Sequence, residues 1–184
     1  MEFDLVRHPL SPASAIEGIH VTVTCLPGAR LTLQYRLSGD ISALVLPALA
    51  PPERADDLWK TTCFEAFLKR PDGDQYSEFN FSPSTRWAVY VFDDYRAGMR
   101  PLASVVVSRT DMRIDTGGFD LGIVVDLSGT RMPWQESDLL IGLSAVIETR
   151  DGARSYWALA HPPGEPDFHH GDCFAGVLRA SGAA

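Results

Sequence analysis

Apolar and polar residues alternate along most of the chain in short runs, broken at close intervals by Gly, Pro, Asp and Ser. A period of two sends successive side chains to opposite faces of a strand, so the pattern predicts half-buried strands and not amphipathic helices. Residues 20–26 (HVTVTCL) and 31–37 (LTLQYRL) flank Pro27-Gly28 and read as a hairpin. Residues 42–46 (SALVL) add a short strand, and the proline-rich loop 49–57 leads from it into Leu58-Trp59. Residues 61–69, 76–82, 86–92 and 103–108 follow as strands, with Asp72-Gly73 and Pro83-Ser84 as the turns of an antiparallel meander. Residues 119–127, 139–149, 155–161 and 173–179 complete the set, and Asp151-Gly152 is the strongest hairpin signal. Helical period is confined to weak traces at 53–58 and 134–138. The expectation is one all-β domain over residues 1–184, an antiparallel jelly-roll-like β-sandwich.

Side-chain parity gives these strands two faces. In 76–82, Phe79 and Phe81 share a core face, while Tyr76, Glu78 and Asn80 share the other. In 61–69, Phe64 and Leu68 point one way and Cys63, Glu65 and Phe67 the other. If the two strands pair, Glu65 and Glu78 stand together on an exposed sheet face beside Tyr76 and Asn80, a floor able to hydrogen-bond a ligand.

Composition narrows the function. With 45% apolar and 10% aromatic residues the chain can build a packed interior, and its net charge of -8 repels a phosphate backbone, which argues against nucleic acid. No stretch approaches the roughly 20 apolar residues of a membrane helix, so no membrane association is expected. The start MEFDLVRHPLSP has two acids and no apolar segment, unlike a secretory signal, so a cytoplasmic location is expected. Cys25, Cys63 and Cys173 are odd in number and lack CxxC spacing, which fits free thiols used as small core residues.

Chemical signatures are few. GxSxG, P-loop and GxGxxG patterns are absent. Glu65 and Glu78 match a glycosidase carboxyl pair only if walls supply a cleft, and Asp72, Asp74, Asp93 and Asp94 are either calcium ligands or solvated turn acids. The stretch from His161 to Asp172 gathers His161, His169 and His170 with Glu165, Asp167 and Asp172, donors suited to a transition metal. Its spacing matches neither HExxH nor HxH, and Pro162, Pro163 and Pro166 fit a rigid loop whose histidines bond its own backbone. Trp87 and Trp157 lie inside strands and read as core plugs, whereas Trp59 ends a loop, where an indole can offer a flat apolar face.

Three runs together resemble a known family. Residues 58–68 (LWKTTCFEAFL), 76–90 (YSEFNFSPSTRWAVY) and 156–161 (YWALAH) with 166–169 (PDFH) resemble the DOMON-like domains, relatives of the family 9 carbohydrate-binding modules, from about Trp59 to Leu178. The resemblance implies a jelly-roll-like sandwich that binds a sugar or haem and does not catalyse a reaction. It implies a platform at Trp59 with its acceptor at Glu65 and a donor at Arg86, beside the Glu78 and Asn80 that parity places on the same floor. The loop Pro162 to His169 is expected to supply a second wall with Phe168 as its apolar contact, and His161, Asp167 and His169 join the candidate ligand-binding residues. The alternative cofactor is haem, held by Met99 or Met112 against His161, His169 or His170, with calcium as a further possibility. The third reading is a protein-interaction module that uses the exposed sheet face.

Overall fold

The computed structural model describes residues 1–115, 118–130 and 137–180. These form twelve strands: β1 (Glu2–Arg7), β2 (Ile16–Leu26), β3 (Arg30–Gly39), β4 (Cys63–Lys69), β5 (Tyr76–Phe81), β6 (Trp87–Phe92), β7 (Arg100–Pro101), β8 (Val106–Asp115), β9 (Gly118–Asp126), β10 (Leu139–Glu148), β11 (Arg154–Ala158) and β12 (Gly176–Leu178). Three short 3-10 turns accompany them, at Ile41–Ala43, Leu58–Lys60 and Gly171–Cys173.

The strands are joined in the order β7-β6-β5-β4-β10-β11-β1-β2-β3-β9-β8, with β12 on the end of β10. Every pairing between them is antiparallel. Strand β1 is the seam. Its first half pairs with β2 from Glu2 to Leu5, while Val6 and Arg7 pair with Ala158 and Trp157 of β11, so one short strand carries the hydrogen bonding from one layer to the other.

Alternation then fills the space between the layers. Leu31, Leu33, Tyr35 and Leu37 of β3 and Phe119, Leu121 and Ile123 of β9 are buried from one side; Phe64, Leu68, Phe79 and Phe81 are buried from the other. The Phe64 ring stacks on Phe119 at 5.7 Å and meets Tyr35 at 5.0 Å. Tyr35 Oη donates to the Glu65 carbonyl at 2.9 Å, which satisfies the one polar atom of that buried ring. Trp157 is a core plug as expected, its Nε1 donating to Ser155 Oγ at 3.0 Å, and Trp87 packs against the same core while partly buried. All three cysteines are unbridged, Cys63 and Cys173 buried and Cys25 half-buried.

Several local expectations change. Residues 42–46 do not form a strand, because Asp40 Oδ1 accepts from the backbone and hydroxyl of Ser42 and caps a 3-10 turn; Leu44 alone bridges to Thr149. The helical trace at 53–58 is irregular apart from the turn at Leu58–Lys60. The trace at 134–138 falls mostly outside the described residues. The Asp151-Gly152 hairpin forms, with Gly152 at φ 83° and Asp151 Oδ1 accepting from Ala153 N at 3.1 Å.

The layer built from β4, β5, β6, β10 and β11 is apolar on both faces. β4 and β5 are buried along nearly their whole length, not on alternate residues. A second cluster, including Phe67, Tyr76, Phe92, Phe168 and Phe174, lies on the side away from the main core. The face carrying Glu65 and Glu78 is therefore covered where it was expected to be exposed, because its aromatic residues need a lid and the segment 159–175 supplies one.

Candidate functional site

Register brings the two acids together. Glu65 of β4 lies opposite Asn80 of β5 and opposite Ser144 of β10, while Glu78 lies opposite Phe67 and Tyr90. Glu65 and Glu78 are thus diagonal neighbours on one face. They form the floor of a cleft of about 840 Å³, whose walls come from 10–12, 56–59, 96–99 and 165–169 together with Tyr90 and Tyr156.

Burial dominates the electrostatics of this floor. Glu65 is 3% and Glu78 6% exposed. Loss of solvation, then the charge of Glu78, pushes Glu65 up to about 8, against a donation from Ser144 Oγ at 3.0 Å and the field of Arg96. Glu78 is also raised by burial, opposed by Asn80 Nδ2, which donates at 2.6 Å, and by Arg96. Two largely desolvated carboxyls this close cannot both ionise freely, so near neutral pH the pair retains a proton.

His169 closes one end. Its Nδ1 is 2.7 Å from Tyr76 Oη and its Nε2 is 3.8 Å from Glu78 Oε2. Because Arg96 N donates to Tyr76 Oη at 3.2 Å, the consistent proton assignment has the phenol donate to Nδ1 and leaves the ring proton on Nε2, facing Glu78. Burial, then Arg96, pushes His169 down to about 4, so the ring is neutral at physiological pH. Arg96 itself sits at φ 52° and binds Asp167 Oδ1 at 2.7 Å, while Tyr95 Oη donates to Asp167 Oδ2 at 2.5 Å.

The rim is aromatic and acidic. Trp59 is 51% exposed on its 3-10 turn, with Lys60 Nζ 5.6 Å from the indole centroid. Tyr90 Oη donates to Asp56, which also takes a two-pronged pair from Arg54 at 2.6 and 3.2 Å. Burial, then the bond to Asp56, raises the Tyr90 phenol and keeps it protonated.

Of the residues expected at the site, Trp59, Glu65, Glu78, Phe168 and His169 line the cleft. Asn80 and Asp167 stand behind it, orienting Glu78 and Arg96. Arg86 and His161 lie elsewhere. Arg86 pairs with Glu53 at 2.9 Å, and His161 Nε2 bonds the Val6 carbonyl at 2.8 Å with its ring edge-on to His8. The cleft guanidinium is Arg96, whose segment read as acidic turn; Tyr90, Asp56 and Tyr156 also escaped the sequence reading. Parity alone pointed to Tyr90, which shares the Glu78 face once β5 and β6 pair.

The metal and haem expectations have specific placements. Asp72 pairs with Arg70 at 2.9 Å and Asp93 with Arg100 at 2.7 Å, so these turn acids are engaged by arginine. His170 Nδ1 accepts from Asp172 N at 3.2 Å and caps the turn at Gly171–Cys173. Among the described residues no group of three or more His, Cys, Asp or Glu is placed to hold a metal ion. Met99 and His169 line the same cleft, but Tyr76 occupies His169 Nδ1 and Nε2 faces Glu78. Met112 lies on β8, in the other layer.

The chain matches no family model and no curated protein sequence. Among solved structures it is similar to a candidate carbohydrate-binding protein from Bacteroides uniformis ATCC 8492, at 14% identity over 97% of this chain and 85% of that one, with a TM-score of 0.68. It is also similar to a family 9 carbohydrate-binding module from Caldicellulosiruptor kristjanssonii in complex with glucose. That match has 10% identity over 95% of this chain and 81% of that one, with a TM-score of 0.52. These likenesses establish the fold, an antiparallel β-sandwich.

Proposed function

We propose that this chain is a non-catalytic module that binds a sugar or sugar derivative in the cleft above Glu65 and Glu78. The observation that carries the reading is the pairing of a half-exposed indole, Trp59, with two buried carboxyls in one cleft of about 840 Å³. A pyranose has flat C–H faces and a ring of hydroxyls. The faces pack on an aromatic ring, and the hydroxyls donate to carboxylates in charge-assisted bonds. Tyr90, Tyr156 and Phe168 add apolar wall, and Arg96, held by Asp167, adds a cationic donor. Both neighbours of this fold are described as carbohydrate-binding, which supports binding without turnover.

The test is a thermal-shift screen of mono- and oligosaccharides, followed by fluorescence titration of the best ligand against Trp59→Ala. Trp59 is half exposed, so its removal is expected to change stability by less than about 0.5 kcal/mol while abolishing the titration. A variant that keeps its affinity removes Trp59 from the site, and release of reducing sugar by the wild type overturns the non-catalytic reading.

A further inference from the structure

We propose that the ligand carries a cationic amino group that seats between Glu65 and Glu78, as an amino sugar does; this deepens, and rests on, the sugar reading above. The first ground is an unmet demand for donors. Glu65 Oε2 accepts from Ser144 and Glu78 Oε1 from Asn80, but Glu65 Oε1 and Glu78 Oε2 make no hydrogen bond. Both residues are more than nine-tenths buried and both face the cleft. These two oxygens open into the cleft with no donor from the protein, so their hydrogen bonds fall to whatever occupies it.

The second ground is that no cation of the protein answers the demand. Arg96 is bound to Asp167, Arg54 to Asp56, and Lys60 to Asp57 at 2.9 Å. His169 is kept neutral and stands 3.8 Å from Glu78 Oε2, beyond hydrogen-bond reach. Of the five carboxyl side chains in the lining, Asp56 and Asp57 are paired with Arg54 and Lys60, which leaves Glu65, Glu78 and Glu165 against Arg96, itself held by Asp167. Such a cleft concentrates cations, because low-dielectric walls focus the field of its acids. A hydroxyl brings one donor and no charge, whereas an ammonium brings three donors and a full charge, so it can satisfy both open oxygens together.

Proton accounting supplies a signature that a neutral sugar lacks. The empty floor retains a proton because two buried carboxyls repel as anions. The groups that act on Glu65 or share its cleft are Glu78, Arg96, Tyr90 and His169, with the Cys63 thiol and the Tyr35 phenol behind it, both of which burial raises and keeps protonated. None of them neutralises the pair by direct contact. An ammonium entering between the carboxyls favours both as anions, so the shared proton leaves to solvent as the N–H···O bonds form.

Calorimetry on the full chain at pH 7 tests this with three matched pairs: glucosamine and glucose, galactosamine and galactose, mannosamine and mannose. In the pair that fits the walls, the amine binds about tenfold tighter than its parent, the difference between charge-assisted and neutral bonds. Its binding enthalpy varies with the ionisation enthalpy of the buffer, reporting proton release, and Glu78→Gln reduces the preference to about threefold or less. The buffer dependence is read on the wild type, so the test stands even where the variant folds poorly. A parent hexose that binds as tightly as its amine overturns the cationic inference and leaves the sugar reading intact. Absence of binding by all six overturns both.

Discussion

Glu65→Gln keeps the shape of the cleft floor and removes one of its two titrating carboxyls. In the unfolded chain this carboxyl has an ordinary value of 4.5; in the fold, burial and Glu78 push it up to about 8. The native state therefore binds the proton more tightly, so the stability it contributes is complete below pH 4.5 and is lost as pH rises through about 8. At about 1.4 kcal/mol per pH unit the total approaches about 5 kcal/mol, a large part of the stability of an ordinary domain. His169 complicates only the acid half of this range. Above 6.5 it is neutral in both states, so between pH 6.5 and 8 the carboxyl pair acts without that opposing group and stability falls by about 2 kcal/mol. Urea unfolding followed by tryptophan fluorescence, at half-unit steps from pH 6.5 to 9, reads this slope provided the m-value stays constant. Between pH 6.5 and 8 the wild-type midpoint is expected to fall more steeply than that of Glu65→Gln, which keeps only the raised Glu78 carboxyl; above pH 8 the raised thiols add a fall common to both. A wild-type midpoint that is flat or rising, or an equal slope in the variant, refutes the reasoning: Glu65 would then be ionised and held by Ser144.

Between pH 5 and 6.5, His169, pushed down to about 4 in the fold, loses stability as pH falls and offsets the gain from Glu65, so the wild type shows a plateau there. His169→Gln is expected to convert that plateau into a rise on acidification of up to about 1.4 kcal/mol per pH unit, reduced by His161, which burial also lowers; a plateau unchanged from the wild type in the same urea titration would clear His169 of the role. Phe64→Ala, at a fully buried ring stacked on Phe119 between the layers, is expected to lower stability by about 3–5 kcal/mol; a midpoint change worth under about 1 kcal/mol would mean the layers close over the gap.

The strands were legible because period two is written directly into the sequence, and parity alone set Glu65 and Glu78 on one face. Where local chemistry competed with that pattern, the pattern misled. Residues 42–46 carry a β-like run, but the Asp40 cap bends them first. The first strand escaped because only Leu5 of its six residues is buried, and its role as the seam between layers depends on partners far along the chain. Arg96 was hidden for a similar reason. Its position in the cleft depends on a left-handed backbone at φ 52° and on Asp167, seventy-one residues away, whereas Arg86 stood conspicuously at a strand entrance and turned instead to Glu53.

The outer face of β4 and β5 explains why a cleft exists at all. A sandwich normally covers one face of each sheet and leaves the other to solvent, but here Phe67, Tyr76 and Phe92 make the outer face apolar too. The carboxy-terminal segment answers them with Phe168 and Phe174, and had the whole face been apolar, that cover would have sealed it. It stops at Glu65 and Glu78. Two carboxyls with open oxygens cannot be sealed under hydrocarbon without several kcal/mol of cost, whereas a cleft lets water or a ligand supply their donors. The same pair that weakens the fold as pH rises therefore holds the cleft open, and a floor that costs stability in the empty protein is best compensated by the molecule that fills it.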